Sequence, residues 1–275
     1  MAKKLTALLM TLALLCMCAG AMGEINLTRK DLQQAEGLDK SVTHIVFLLQ
    51  DGDVTDTIML ASINSKTGRS VMTQVSCARE VEVVMGDGSA ATMPLGEVYA
   101  QGGKKSRGFL VCRELNELLG LDISTYVAMD MTRVPELVEA VGTLDIELSE
   151  SEAAALGLEP GECDLDGAQA LAYVRLKLES DTERNTRGYD ALMQIIRQGV
   201  GGGNVMGLIG MGTKLLSSVD TNLGAHKAMT LATSVTGGDE RSELVLPEEE
   251  QVLTEQPLTA DLAALGERLR GEIYQ

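Results

Sequence analysis

Apolar positions along this chain fall into short runs whose period switches between two and about 3.6, the signatures of strands and amphipathic helices. His44 to Leu49 (HIVFLL) is an apolar run bounded by Gln50-Asp51-Gly52-Asp53, which predicts a buried strand and its exit loop. Thr57 to Asn64, the polar turn Ser65-Lys66-Thr67-Gly68 and Ser70 to Ser76 predict a hairpin. Arg107 to Leu119 carries Phe109, Leu110, Cys112, Leu115, Leu118 and Leu119 on one helical stripe, and Gly120 is placed to end that helix. Ser124 to Met131 is strand-like, Pro135 to Val141 reads as a helix with Gly142 after it, and Thr143 to Leu148 alternates as a strand.

Further on, Asp166 to Lys177 begins with a capping residue and places Gln169 three positions later, a capping-box start. Asp181 to Gln198 is a second helix with an acid at its front. Leu215 to Val235 and Ala260 to Tyr274 read as helices, with Glu243 to Leu246 a short strand between them. Gly199 to Gly212 is glycine-rich, but its GLIGMG follows a helix and lacks the lysine of a phosphate loop, so it reads as a connection or a close packing surface. This alternation of elements predicts an α/β domain, a central mixed β-sheet sandwiched by helices.

The N-terminus has its own pattern. Lys3-Lys4 precedes Leu5 to Gly23, which carries no charge. That predicts a signal peptide or an N-terminal membrane anchor over residues 1–23, a polar spacer over 24–41 and an extracytoplasmic domain over 42–275. Leu15 and Met17 precede Cys16 and Cys18 where a lipoprotein site has small residues, which disfavours lipidation. The formal net charge of −17, made more negative without the two leader lysines, disfavours nucleic acid as a partner because phosphate binding needs clustered Lys and Arg. Cys77, Cys112 and Cys163 are odd in number and give no disulfide framework, though one pair is free to bridge. His44 and His226 without a CxxC give no zinc signature.

Candidate chemistry gathers at four places. Asp56 directly precedes a buried strand, Arg79-Glu80 follows the hairpin, Arg175 and Lys177 stand at the exit of one late helix, and Arg184 and Arg187 share a face of the next. Each alone has an ordinary reading as a turn residue or a solvated charge. In so acidic a chain, arginines collected at element ends suit an anion, since the planar guanidinium matches phosphate oxygens. An aspartate beside them is suited to Mg²⁺, which takes one or two carboxylates plus substrate phosphates.

The segments TDTIMLASINSKTG, VSCARE, LLGLDISTYVAMDM, VEAVGTLDIEL and LDGAQALAYVRLKLESDTERNTRGYDALMQ occur in that order, followed by TNLGAHKAMTLA and the Leu246-Pro247 pair. In order and spacing they resemble the LytR-CpsA-Psr family from about His44 onward, with LDGAQALAYVR the most specific piece. The resemblance implies a phosphotransferase of the cell envelope that moves a polyprenyl-pyrophosphate-linked glycopolymer, of teichoic acid or capsule type, onto peptidoglycan. It implies Mg²⁺ at Asp56 and Asp51, and Arg79, Arg175 and Arg184 as the catalytic grip on the pyrophosphate. Lys177 and Arg187 are the further substrate-binding candidates. Val127, Met129, Val138 and Leu192 would partly line a tunnel for the prenyl chain, which together with the N-terminal segment links the protein to the membrane.

The chain departs from the family pattern near these positions. Val54 stands where an arginine is usual, Lys177 replaces another arginine, Gly188 replaces a glutamine, and the usual SIPRD reads Ser76-Cys77-Ala78-Arg79-Glu80. The loop from Asp51 to Asp56 is also short. A relative that holds the polyprenyl phosphate or wall polymer without turning it over is the second function these residues allow.

Overall fold

The computed structural model describes residues 25–32, 38–176, 178, 187–195, 198, 219–224, 227, 241–246 and 262–274, the side chains of 241–246 and 262–265 excepted. Three strands open the domain: β1 (Val42–Asp51), β2 (Val54–Asn64) and β3 (Ser70–Val75). A small hairpin follows, β4 (Glu80–Val84) and β5 (Ala90–Pro94), then helices α1 (Leu95–Gln101) and α2 (Arg107–Leu119). After β6 (Tyr126–Asp130) come α3 (Val134–Val141), β7 (Leu144–Leu148), α4 (Glu150–Leu156), β8 (Gly161–Leu165) and α5 (Gly167–Val174). The helical residues 187–195 (α6), β9 (Asp220–Thr221), β10 (Arg241–Leu246) and α7 (Leu262–Tyr274) complete the described chain.

Six strands form one sheet in the order β10-β3-β2-β1-β6-β9. β1, β2 and β3 are antiparallel neighbours, whereas β6 runs parallel to β1 and β10 parallel to β3, so the sheet is mixed, as expected. Strand alternation sorts its side chains onto two faces. Val46, Leu48, Ile58, Leu60, Val71 and Val75 meet Leu95, Val98, Leu110, Val111, Leu115 and Leu269 from α1, α2 and α7. Phe47, Met59, Ala61 and Met72 point the other way, against Tyr189, Leu192 and Met193 of α6. Leu49 joins a third cluster with Met131, Val138, Leu144, Ile146, Ala170, Tyr173 and Ala191, which ties α3, β7, α5 and α6 to the same face.

Capping chemistry ends the helices where the sequence places it. Gly120 adopts φ 62° after α2 and donates its N–H to the Asn116 carbonyl, a left-handed stop that other residues reach only at a cost. Asp166 and Gln169 form the reciprocal capping box at the start of α5, which closes at Val174, three residues before the expected end at Lys177.

Other expectations are corrected. The helix predicted over Leu215 to Val235 is interrupted, because Asp220–Thr221 pairs antiparallel with β6 as an edge strand. The Asp220 carboxylate accepts hydrogen bonds from Tyr99 (2.7 Å) and Tyr126 (3.3 Å), a tertiary grip that no helical period reveals. The stretch read as spacer docks in part, with Ile25 and Leu32 buried in the core beneath α1 and α2. β4, β5, α1, α4 and β8 carried no expectation. Among the described residues, Cys77, Cys112 and Cys163 form no disulfide with one another. Among the described residues no helix is long and apolar enough to cross a membrane, and the leader lies outside them.

Candidate active site

The end of β1, the start of β2, the segment before β4 and the end of α5 converge at one end of the sheet, where its central strands β1 and β2 turn. The β1–β2 ladder carries a β-bulge there: Leu49 faces Thr57 and Gln50 faces Thr55, so Asp56 is the extra residue between them. A bulge bends the strand and redirects the side chain it carries. Asp56 is buried at 5% exposure, unusual for a carboxylate and already a sign of special surroundings.

Beside it, Gln50 and Thr55 hold one another reciprocally. The Gln50 amide donates to Thr55 Oγ1 at 2.9 Å and the Thr55 hydroxyl lies 3.1 Å from Gln50 Oε1, both side chains being buried. Thr55 is also pressed from the α1 side, where a β-carbon on Gly96 would stand 2.8 Å from the Thr55 carbonyl oxygen and 3.2 Å from Cys77 Cβ. Only glycine lets the first turn of α1 approach so closely. That turn donates from Gly96 N to the Cys77 carbonyl (2.9 Å) and from Leu95 N to the Arg79 carbonyl (2.7 Å), which anchors the segment carrying Arg79.

Arg79 is a buried guanidinium whose Nη1 has no hydrogen-bond partner among the described residues. Burial pushes its pKa down from the ordinary value, yet arginine stays charged at neutral pH. A buried cation with an unsatisfied donor is costly in a resting protein and is suited to an incoming anion.

Arg175 arrives from the opposite side, and the LDGAQALAYVR segment explains how. Asp166 caps α5, Gly167 packs against Pro135, and Ala170, Tyr173 and Val174 bury the inner stripe, so the chain turns out at Arg175. Its Nη2 donates to Asp51 Oδ1 at 2.9 Å and its Nε lies 3.3 Å from Met131 Sδ. Both members of the Arg175–Asp51 pair are more than one-third exposed, which leaves each accessible to a ligand. Asp130, in parallel register with Gln50 at the end of β6, adds a third carboxylate within the field of Arg175. Hydrogen bonds from Thr132 hold its pKa below the usual range, with smaller help from Arg175.

The other expected residues divide. Arg187 turns inward: at 3% exposure it donates to Glu152 Oε1 (3.3 Å) and to the Leu176 carbonyl (2.8 Å), stapling α6 to α4 and to the exit of α5. Its charge marked it for substrate, and in this structure its bonds go to these two protein groups. Next to it, a β-carbon on Gly188 would fall 1.9 Å from Thr57 Oγ1, so α6 lies directly on the strand residue after Asp56. Lys177 and Arg184 lie outside the described residues. Asp51 and Asp56 thus share one bulged hairpin with Arg79 and Arg175 around it. Sequence reasoning missed Gln50, Thr55 and Asp130; the placement of Gln50 and Asp130 at the carboxyl ends of the adjacent parallel strands β1 and β6 was the available signal.

Leu192 packs with Phe47, Met59 and Met72 on the α6 face, while Val138 and Met129 belong to the neighbouring cluster. Near that face a pocket of about 330 Å³ is lined by Asp145, Ile146, Glu147, Tyr189, Asp190, Met193 and Gln194, none of them among the expected tunnel residues. No group of three or more His, Cys, Asp and Glu side chains able to cage a metal occurs among the described residues. Asp51 and Asp56 nevertheless fit Mg²⁺ as a donor set, because that ion is commonly held by one or two carboxylates with water and substrate phosphate completing its shell.

A model of the LytR_cpsA_psr family matches residues 32–259. The chain belongs to this family. Within the LytR_cpsA_psr proteins it is 25% identical over 245 residues to biofilm regulatory protein A of Streptococcus mutans, covering 78% of this chain and 58% of that protein. It is 22% identical over 195 residues to the polyisoprenyl-teichoic acid–peptidoglycan teichoic acid transferase TagV of Bacillus subtilis, covering 66% and 48%. The chain therefore spans little more than half, or less, of these relatives' lengths. The crystal structure of B. subtilis TagV superposes with a TM-score of 0.69 at 18% identity, covering 86% of this chain and 99% of the other. TagT with bound octaprenyl pyrophosphate lipid gives 0.66 at 18% identity, covering 92% and 100%. These likenesses establish the fold: a mixed sheet between helical layers.

Proposed function

We propose that this protein is an extracytoplasmic phosphotransferase that attaches a polyprenyl-pyrophosphate-linked glycopolymer, of teichoic acid or capsule type, to peptidoglycan. The observation that carries the reading is Arg79, a buried guanidinium whose Nη1 has no partner among the described residues, on the segment that α1 anchors beside the bulged hairpin of Asp51 and Asp56. Relatives named as teichoic acid transferases support the reaction class.

In this reading Arg79 and Arg175 receive the oxygens of the lipid-linked pyrophosphate, and Arg175 exchanges its contact with Asp51 for the phosphate. Asp51 and Asp56 hold Mg²⁺, which, when bound, screens the negative charge of the two phosphates. The peptidoglycan hydroxyl oxygen attacks the phosphorus that bears the glycopolymer. The bond from that phosphorus to the bridging oxygen breaks, polyprenyl phosphate leaves, and the hydroxyl proton passes to solvent. The chain contributes positioning and fixed positive charge, which is most of what phosphoryl transfer requires.

A second reading, a carrier-binding relative without turnover, is favoured by Val54: it is 43% exposed at the hairpin tip, where the family pattern has an arginine, and brings no charge to the phosphates. One experiment separates them. The full chain in detergent micelles is given a polyprenyl-pyrophosphate-linked disaccharide with Mg²⁺ or with EDTA, beside Asp56→Ala and Arg175→Ala. Release of polyprenyl phosphate that needs the metal and fails in both variants supports the transferase. Saturable lipid binding without release, under conditions where a TagU or TagV relative works, supports the carrier reading.

A further inference from the structure

Gln50 and Thr55 lie outside the groups expected to touch substrate, yet they occupy the one irregularity in the β1–β2 ladder. A regular antiparallel ladder would give Asp56 a partner position on β1 and set its side chain by strand alternation alone. The bulge removes that constraint, and something must fix the local geometry in its place. Gln50 and Thr55 face each other across the bulge, bonded through both polar ends of the amide and a single hydroxyl. Thr55 is fully buried, and its carbonyl sits under Gly96, whose own N–H bonds to the Cys77 carbonyl two residues before Arg79.

We propose that the reciprocal Gln50–Thr55 hydrogen bonds are a positioning device that fixes the bulge presenting Asp56 and registers that carboxylate against Arg79 through Gly96. The inference rests on the transferase reading and adds two positioning residues to its machinery. Neither touches the phosphates. An amide and a hydroxyl serve here because they impose direction, whereas two apolar groups of the same size would fill the space without fixing an angle. A bulge free to shift would let the carboxylate swing by a fraction of an ångström to an ångström, a misplacement that costs on the order of 10²-fold in a geometry-dependent reaction.

The test is a double-mutant cycle on the full chain in detergent micelles: Gln50→Leu, Thr55→Val, the two combined, and Thr55→Ser as the conservative control. Three quantities are read: kcat and KM on the polyprenyl-pyrophosphate-linked disaccharide, Mn²⁺ affinity by electron paramagnetic resonance, and the melting temperature. Each single change strands a buried polar partner and lowers the melting temperature, and the apolar pair restores much of that loss. Turnover and metal affinity should behave differently. The expected result is a kcat lower by about 10–100-fold with KM changed less than about threefold, and Mn²⁺ binding weaker by about tenfold. Both losses persist in the thermally restored double variant, while Thr55→Ser stays near wild type. Recovery of kcat and Mn²⁺ affinity together with stability in the double variant would overturn the positioning role. So would single variants that bind Mn²⁺ as wild type does. Should the wild-type chain release no polyprenyl phosphate, the transferase reading fails, and the Mn²⁺ affinities alone still decide for or against the lock.

Discussion

Gly188 and Thr57 are in such close register that any β-carbon on the first would stand 1.9 Å from the hydroxyl oxygen of the second. The family pattern has glutamine at the position of Gly188. Here the room for a side chain is taken by Thr57, one residue from Asp56, and α6 sits directly on the strand. Gly188→Ala should therefore destabilise the protein by about 1–3 kcal/mol through overpacking, and Thr57→Ala should restore most of it. Thermal unfolding of the two single variants and the double variant measures this. Additive losses with no restoration would mean that the two residues do not share the space.

The two ion pairs around the site should respond in opposite ways. In the Arg187–Glu152 pair the guanidinium is buried and the carboxylate mostly so, at 14% exposure; Arg187→Met leaves Glu152 only its bonds from Ser149, and Glu152→Gln removes the charge opposite the buried guanidinium. Breaking one partner of such a pair costs about 3–5 kcal/mol. Arg175–Asp51 is half-exposed, and Asp51→Asn should move stability by no more than about 1 kcal/mol. Turnover of the lipid-linked substrate should fall by at least about tenfold in Asp51→Asn. Denaturant unfolding next to the release assay separates the two behaviours.

Arg79 offers the clearest conflict between stability and function. Replacing this buried, incompletely bonded cation with methionine of comparable length removes an uncompensated charge. Arg79→Met should melt at or above the wild-type temperature, while binding of polyprenyl pyrophosphate weakens by at least about tenfold. Calorimetry of unfolding and a lipid-binding titration on the same preparation check both halves. A large loss of stability would assign Arg79 to the scaffold.

Acid sensitivity should centre on His44. Its ring is buried, hydrogen-bonded to Ser62 (2.8 Å) and near the Tyr274 hydroxyl (3.2 Å), and burial pushes its pKa down to about 4. The unfolded chain takes up that proton near pH 6.5, so folding excludes it over the interval between these values. Stability contributed by the neutral ring is complete above about pH 6.5 and is lost as the pH falls toward 4. Asp122, 3.6 Å from Nε2, gives an imidazolium a partner and moderates the loss, which should be on the order of 2 kcal/mol. His44→Gln should flatten the melting-temperature profile across that window. An unchanged slope would place the acid response in other groups.

What the sequence determined by itself was local. Hydrophobic period and capping residues decide whether a segment is strand or helix because both act over a few residues: HIVFLL became β1, Arg107–Leu119 became α2 with Gly120 in its left-handed stop, and Asp166 with Gln169 capped α5. The ordered motifs from Thr55 to Gln194 named the family for the same reason, and the resemblance they carry offered Asp56, Arg79 and Arg175, with Asp51 just ahead of them, as candidates before any fold was visible. Only the tertiary structure decided what those residues face. It curled Arg187 into Glu152, set Gly188 on Thr57, drew Asp220 to the sheet edge through two tyrosines and placed the bulge at Asp56. Each of these depends on groups tens of residues apart in the chain, or on a one-residue slip between paired strands. The local pattern that selects an element contains no term for either, so packing and hydrogen bonding across the fold make that choice.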